Sequence, residues 1–159
     1  MVNVVLFQPE NPFNTGAAIR TCVLLGAALH LIQPYGFSGL DDDVRRASMS
    51  YINAASPVEH RSWSEFLDVI TASDPRIFAL WDEGTALHTE AVFLSGDFLV
   101  FGQESVGLPP DITSRVPTLR IDMPGVVGTA RTDHRDHSLN LSVSIGIVVA
   151  EANRQLHFR

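Results

Sequence analysis

Val2-Asn-Val-Val-Leu-Phe-Gln-Pro-Glu-Asn-Pro-Phe-Asn-Thr-Gly-Ala-Ala-Ile-Arg-Thr-Cys-Val-Leu-Leu-Gly26 is the stretch that decides the fold class. Val2 to Phe7 is a short apolar run ended by Gln8-Pro9, the pattern of a strand buried in a parallel sheet. Asn14 stands where a helix cap belongs. From Thr15 to Leu25 the apolar positions Ala18, Ile19, Cys22, Val23 and Leu25 recur at helical spacing, and Gly26 closes the element. The chain therefore opens as strand, turn and helix.

The same alternation continues outward from that opening. Ala28 to Ile32 reads as a second strand stopped by Gln33-Pro34, and Asp41 to Met49 as a short helix with acids in its first turn and Arg45 and Arg46 later. Ser62-Trp-Ser-Glu65 has the form of a capping box that opens a helix to Ile70. Arg76 to Leu80, Asp97 to Phe101 and Thr118 to Ile121 are further strands. This spacing predicts an α/β domain, one unit over residues 1–159, with a mostly parallel sheet and helices on both faces. Ligands in such folds sit beyond the carboxyl ends of the strands. Gln8 to Gly16, Trp81 to Thr85 with Gly102 to Pro109, and Asp122 to Asn140 occupy those ends. Leu141 to Leu156 is β-prone in its first half and helical in its second. Its length favours a helix, apolar on nearly every side, with one face on the sheet and another on a second subunit.

Composition narrows the function classes. With 159 residues, 45% of them hydrophobic, the chain can bury a core without metal or disulfide staples. The apolar run from Leu141 to Ala152 is too short to cross a bilayer, and the N-terminus lacks the basic stretch and cleavage site of a signal peptide. A cytoplasmic protein is expected, consistent with the lone Cys22, which reads as a small core hydrophobe. The net charge is −7, which argues against nonspecific coating of nucleic acid but permits a local arginine patch. All 11 basic residues are Arg, so neither Schiff-base chemistry nor a Walker-type phosphate loop is possible.

Three loops carry candidate chemistry. The two glycines of Gly102-Gln-Glu-Ser-Val-Gly-Leu-Pro109 would let backbone amides approach a ligand, although a plain turn into a short helix at Pro109-Pro110 explains the same residues. Arg20 is either a solvated helix residue or a phosphate ligand. Asp133-His-Arg-Asp-His137 is the densest ionisable cluster, yet its residues share one loop rather than converging from several, so no metal site is expected.

Together, Asn3 to Arg20, Phe101 to Pro109, and Ser138-Leu-Asn-Leu-Ser142 with Glu151 to Leu156 resemble the three motifs of the SPOUT-superfamily RNA 2′-O-methyltransferases. The resemblance covers nearly the whole chain and points to the small single-domain branch that acts on the wobble ribose of the tRNA anticodon. It implies a C-terminal trefoil knot, a rare exception among protein chains, and S-adenosylmethionine held in that knot largely by backbone groups. The implied cofactor contacts are Leu80, Gly102, Ile121, Ser138 and Leu139. The implied catalytic set is Arg20, Asn14, Glu104 and Asn140. Asn14 and Glu104 would hold the motif loops, Asn140 would lie near the transferring methyl, and Arg20 would orient the adjacent phosphate, since guanidinium is too weak a base to take the hydroxyl proton. A homodimer through the first and last helices is also implied.

Some positions depart from the family pattern: Ala17 replaces a common Asn, Val106 a frequent Arg, and His137 and Val143 flank motif three in place of Arg and Asn. The segment from Asp122 to His137 also reads as longer than the branch normally has. RNA, tRNA foremost, is the expected partner. The competing readings are the same reaction on rRNA, a catalytically silent SPOUT-like domain binding RNA or protein, and a flavodoxin-like nucleotide-binding domain, which explains none of the motifs.

Overall fold

The computed structural model describes residues 1–40, 42–71, 74–124 and 138–157. Its strands are β1 (Asn3–Phe7), β2 (Ala28–Ile32), β3 (Val58–His60), β4 (Ile77–Leu80), β5 (Ala86–Leu87), β6 (Phe98–Phe101) and β7 (Thr118–Arg120). They form one sheet in the order β3-β2-β1-β6-β4-β7-β5, with every pairing parallel. The helices are α1 (Pro12–Leu25), α2 (Asp42–Ser48), α3 (Tyr51–Ala55), α4 (Trp63–Ile70), α5 (Pro110–Thr113) and α6 (Leu141–His157).

The expected strands are all present, and so is the two-faced arrangement. Side chains alternate across a strand, so Val4 and Leu6 of β1 join Leu99 and Phe101 of β6 in one cluster, packed under Ala18, Ile19 and Cys22 of α1 and Ile145, Val148 and Val149 of α6. Val5, Phe7, Phe98 and Val100 point the other way, into a second cluster with Phe66 and Ile70 of α4 and Ile112 of α5. Cys22 is fully buried, and burial pushes its thiol up to about 12, as befits a packing residue.

The expected boundary of the first helix needs correction. The helix begins at Pro12, and Asn11, not Asn14, is the cap: its Oδ1 accepts the amides of Phe13 (2.9 Å) and Asn14 (3.3 Å). Proline is favoured at the first helical position because it has no amide to leave unpaired. Asn14 is thereby freed to point elsewhere. At the other end Gly26 adopts φ 67°, ψ 39°, the left-handed stop that was expected. Ser62 accepts the Glu65 amide at 3.1 Å, while the Glu65 carboxylate reaches the amide of Arg61, one residue before the cap.

The segment from Leu141 is a helix. It runs beside α1 in the same direction, with Thr21 against Gly146 and the Asn153 amide donating to the Leu25 carbonyl at 2.6 Å. Within this chain Leu141, Ile145, Val148, Val149 and Ala152 are buried, whereas Val143 is exposed. The Asp133 to His137 cluster, Gly125 and the rest of the long segment up to His137 lie outside the described residues.

Candidate cofactor and substrate site

The carboxyl ends of β4, β6 and β7 open into a cavity of about 360 Å³, within the range typical of small-molecule sites. Leu80 and Trp81 lie at the end of β4, Phe101 to Gly107 at the end of β6, and Leu119 and Ile121 at the end of β7; Ser138 to Leu141 close it from the start of α6. The parallel topology forces this convergence. Neighbouring strands all end on one edge, so three loops far apart in sequence meet there.

Close packing fixes the loop after β6. A Cβ on Gly102 would lie 2.3 Å from the Gly107 carbonyl carbon, and Gly107, at φ +73°, would place one 2.1 Å from the Trp81 ring. Gln103 and Gly107 exchange backbone hydrogen bonds of 3.0 and 2.8 Å, pinching the loop into a rigid rim. Only glycine fits either position.

A hydrogen-bonded chain runs across the mouth. Asn140 donates from Nδ2 to Asn14 Oδ1 at 2.9 Å, and Asn14 donates from Nδ2 to Glu104 Oε1 at 3.4 Å. Asn140 Oδ1 in turn accepts the amide and hydroxyl of Ser142, at 2.9 and 2.7 Å, which fixes its amide orientation. Glu104 Oε2 accepts the Glu10 amide at 2.9 Å, and the Glu10 carboxylate accepts the Ser105 amide and hydroxyl at 2.8 and 2.7 Å. The first loop and the loop after β6 are thus clasped in both directions. Glu10 and Ser105 were not anticipated from sequence; they lie inside conspicuous motifs, but a carboxylate bonded to a distant backbone amide has no spacing signature.

A family model described as the SpoU rRNA Methylase family matches residues 1–150. The chain belongs to that family. It is 43% identical over 159 residues to a tRNA (cytidine(34)-2′-O)-methyltransferase of Burkholderia cenocepacia (strain HI2424), with 99% of this chain and 97% of that protein covered. A solved structure concerned with 2-OH methylation of C/U34 on tRNA superposes with a TM-score of 0.89 at 41% identity, covering 100% of this chain and 98% of that one. An AdoMet-bound rRNA methyltransferase from Sinorhizobium meliloti superposes with a TM-score of 0.82 at 25% identity, covering 98% of this chain and 56% of that one.

Within this SpoU-family chain, eight of the nine residues singled out from sequence line the cavity: Asn14, Glu104 and Asn140 at its mouth, and Leu80, Gly102, Ile121, Ser138 and Leu139 around it. Arg20 stands apart from them. It is exposed on α1, with its guanidinium carbon 5.9 Å from the centre of the Tyr51 ring on α3, a cation–π distance. Trp81 and Met123 also line the cavity; they fall in the segments expected at the strand ends, but the sequence does not single them out as cofactor contacts. Among the described lining residues the ionisable groups are Asp82 and Glu104, both acidic. No group of three or more metal-ligating side chains occurs among the described residues.

Proposed function

We propose that this chain is an S-adenosylmethionine-dependent methyltransferase for the ribose 2′-hydroxyl of nucleotide 34, the wobble position of the tRNA anticodon. The observation that carries this reading is the Asn140–Asn14–Glu104 chain, which joins all three motifs across one cavity mouth. The full-length likeness to enzymes of that name supports the substrate.

The cavity suits the cofactor. The loop after β6 is held tight by Gly102 and Gly107, and the cavity's described charges are carboxylates, the sign that attracts a sulfonium and an ammonium group. Leu80, Gly102, Ile121, Ser138 and Leu139 would hold it. When bound, S-adenosylmethionine supplies a methyl group that needs no activation, so the work left to the protein is alignment and proton handling. Asn140, fixed by Ser142 and Asn14, orients polar atoms at the mouth. Arg20 binds the phosphate next to the target ribose and stabilises charge growing on its oxygen.

The finer architecture belongs to the same proposal. β7 lies between β4 and β5, and the connection from Trp81 to Thr85 passes over its carboxyl end: Trp81 donates to the Leu119 carbonyl at 2.8 Å, and Arg120 donates to the Gly84 carbonyl at 2.8 Å. That crossing over β7 supports a trefoil knot. The exposed Leu24 on α1 and Val143 on α6 support a homodimer through these two helices. No helix among the described residues is long and apolar enough to cross a membrane, and the reading includes a cytoplasmic enzyme with one domain over residues 1–159.

Incubating the purified protein with S-adenosylmethionine and unmodified tRNA, then mapping nucleosides by mass spectrometry, tests the assignment. One new 2′-O-methyl pyrimidine at position 34 is expected. Methylation of rRNA with tRNA untouched would overturn the substrate, and absence of any cofactor-dependent thermal shift would overturn the activity.

A further inference from the structure

Phe13 is the only exposed Phe, Tyr or Trp among the described residues, with 55% of its surface open to solvent. It lies one residue before Asn14, on the first turn of α1, where its own amide is fixed on the Asn11 cap at 2.9 Å. The ring therefore stands on rigid backbone, not on a free loop. Beside it is a second, open depression of about 480 Å³ lined by Glu10, Asn11, Pro12, Phe13, Glu104 and Ser105. Glu104 and Ser105 belong to both hollows, so the depression and the cofactor cavity share a wall.

Resting on the function proposed above, we infer that Phe13 is the platform on which the base of the target nucleotide stacks. A methyl acceptor must approach in line with the donor, so the nucleoside has to occupy space adjoining the cavity. The two carboxylates on the rim, Glu10 and Glu104, repel phosphate, which turns the base and not the backbone toward this shelf. Single-stranded bases splayed from a loop are commonly held by aromatic faces, a mode that tolerates changes of base because every base has a π-face. The polar side chains here fit that mode. Asn11 is engaged in capping, and Glu10 and Glu104 are engaged in the clasp with Ser105 and Asn14. Recognition through the ring face accepts either pyrimidine.

The probe is an anticodon stem-loop carrying fluorescent pyrrolocytosine at position 34, titrated into full-length protein loaded with S-adenosylmethionine, alongside methylation kinetics on unmodified tRNA. Binding to the wild type should quench the fluorophore. Phe13→Leu, apolar but without a π-face, should lose the quench and raise the KM for tRNA about tenfold, equally for C34 and U34 substrates, with cofactor affinity unchanged. Phe13→Trp should keep both quench and KM. An unchanged quench and KM in Phe13→Leu would overturn the platform. So would a rise in KM accompanied by dissociation of a dimer in size-exclusion chromatography, because the ring would then be covered by a second subunit. Failure of the wild type itself to methylate position 34 sinks the parent assignment instead, an outcome separate from any effect at Phe13.

Discussion

Arg20 is distinguished from the other site residues by where it stands. Asn14, Glu104 and Asn140 are knitted together at the cavity mouth, whereas the Arg20 guanidinium lies over Tyr51 on the exposed side of α1. A side chain in that position has no hold on the cofactor cavity, and the phosphate role proposed for it requires none. Arg20→Ala is therefore expected to abolish methyl transfer while the dissociation constant for S-adenosylmethionine, measured by calorimetry, stays within twofold of wild type. Equal loss of transfer and cofactor binding would make Arg20 a structural residue.

At the level of strands and helices, the most pH-sensitive feature is a pair of histidines on adjacent strands. His30 of β2 and His60 of β3 stack with centroids 5.3 Å apart, and Nδ1 of one lies 3.0 Å from Nε2 of the other. Phe66 of α4 packs edge-on against both rings. Burial first, and then the neighbouring His60, holds the His30 pKa down to about 4; burial also lowers His60, against an opposing pull from Glu65. Since an unfolded histidine titrates near 6.5, the unfolded chain binds more protons than the folded one between about pH 6.5 and pH 4. Stability is fully present above that window and drains away as pH falls through it. Tm should be level above pH 7 and drop steadily below pH 6.5, with a shallower slope in His30→Phe; a wild-type Tm constant from pH 7 to pH 4 would refute the account. Elements of this scale were unevenly legible in the sequence. β1, β2, β4, β6 and α6 announced themselves through apolar runs and length, whereas β3, β5 and α3, with 3, 2 and 5 residues, are too short for any periodicity to register. The helix start was misplaced by three residues because Asn11-Pro12 and Asn14-Thr15 both look like starts, and the cap that Asn11 makes on the Phe13 and Asn14 amides decides between them. The cavity residues were legible only through the resemblance: a plain turn accounts for Gly102 to Pro109 equally well, Leu80, Ile121 and Leu139 carry no chemistry of their own, and it is the three motifs taken together that single them out.

Over the whole molecule the telling feature is the placement of β7. It is the last strand among the described residues, yet it pairs with β4 on one side and β5 on the other, and its neighbours β4 and β5 are joined by a connection that crosses it. Gly84 sits so close over this strand that a Cβ there would lie 2.4 Å from the Leu119 carbonyl carbon, and Thr85 reaches the Thr118 hydroxyl at 3.1 Å. Contacts between distant parts of a chain form slowly because loop closure precedes any reward. Pulsed hydrogen exchange during refolding should find the amides of Leu119 and Arg120 protected later than those of β1 and β2; simultaneous protection would show that insertion is not the final step. Gly84→Ala should delay that protection further. Since Leu119 and Ile121 line the cavity, a half-made or partly degraded chain lacks part of its wall. On the function proposed above, the polypeptide would carry its own quality control, sequestering no methyl donor until β7 has been fitted.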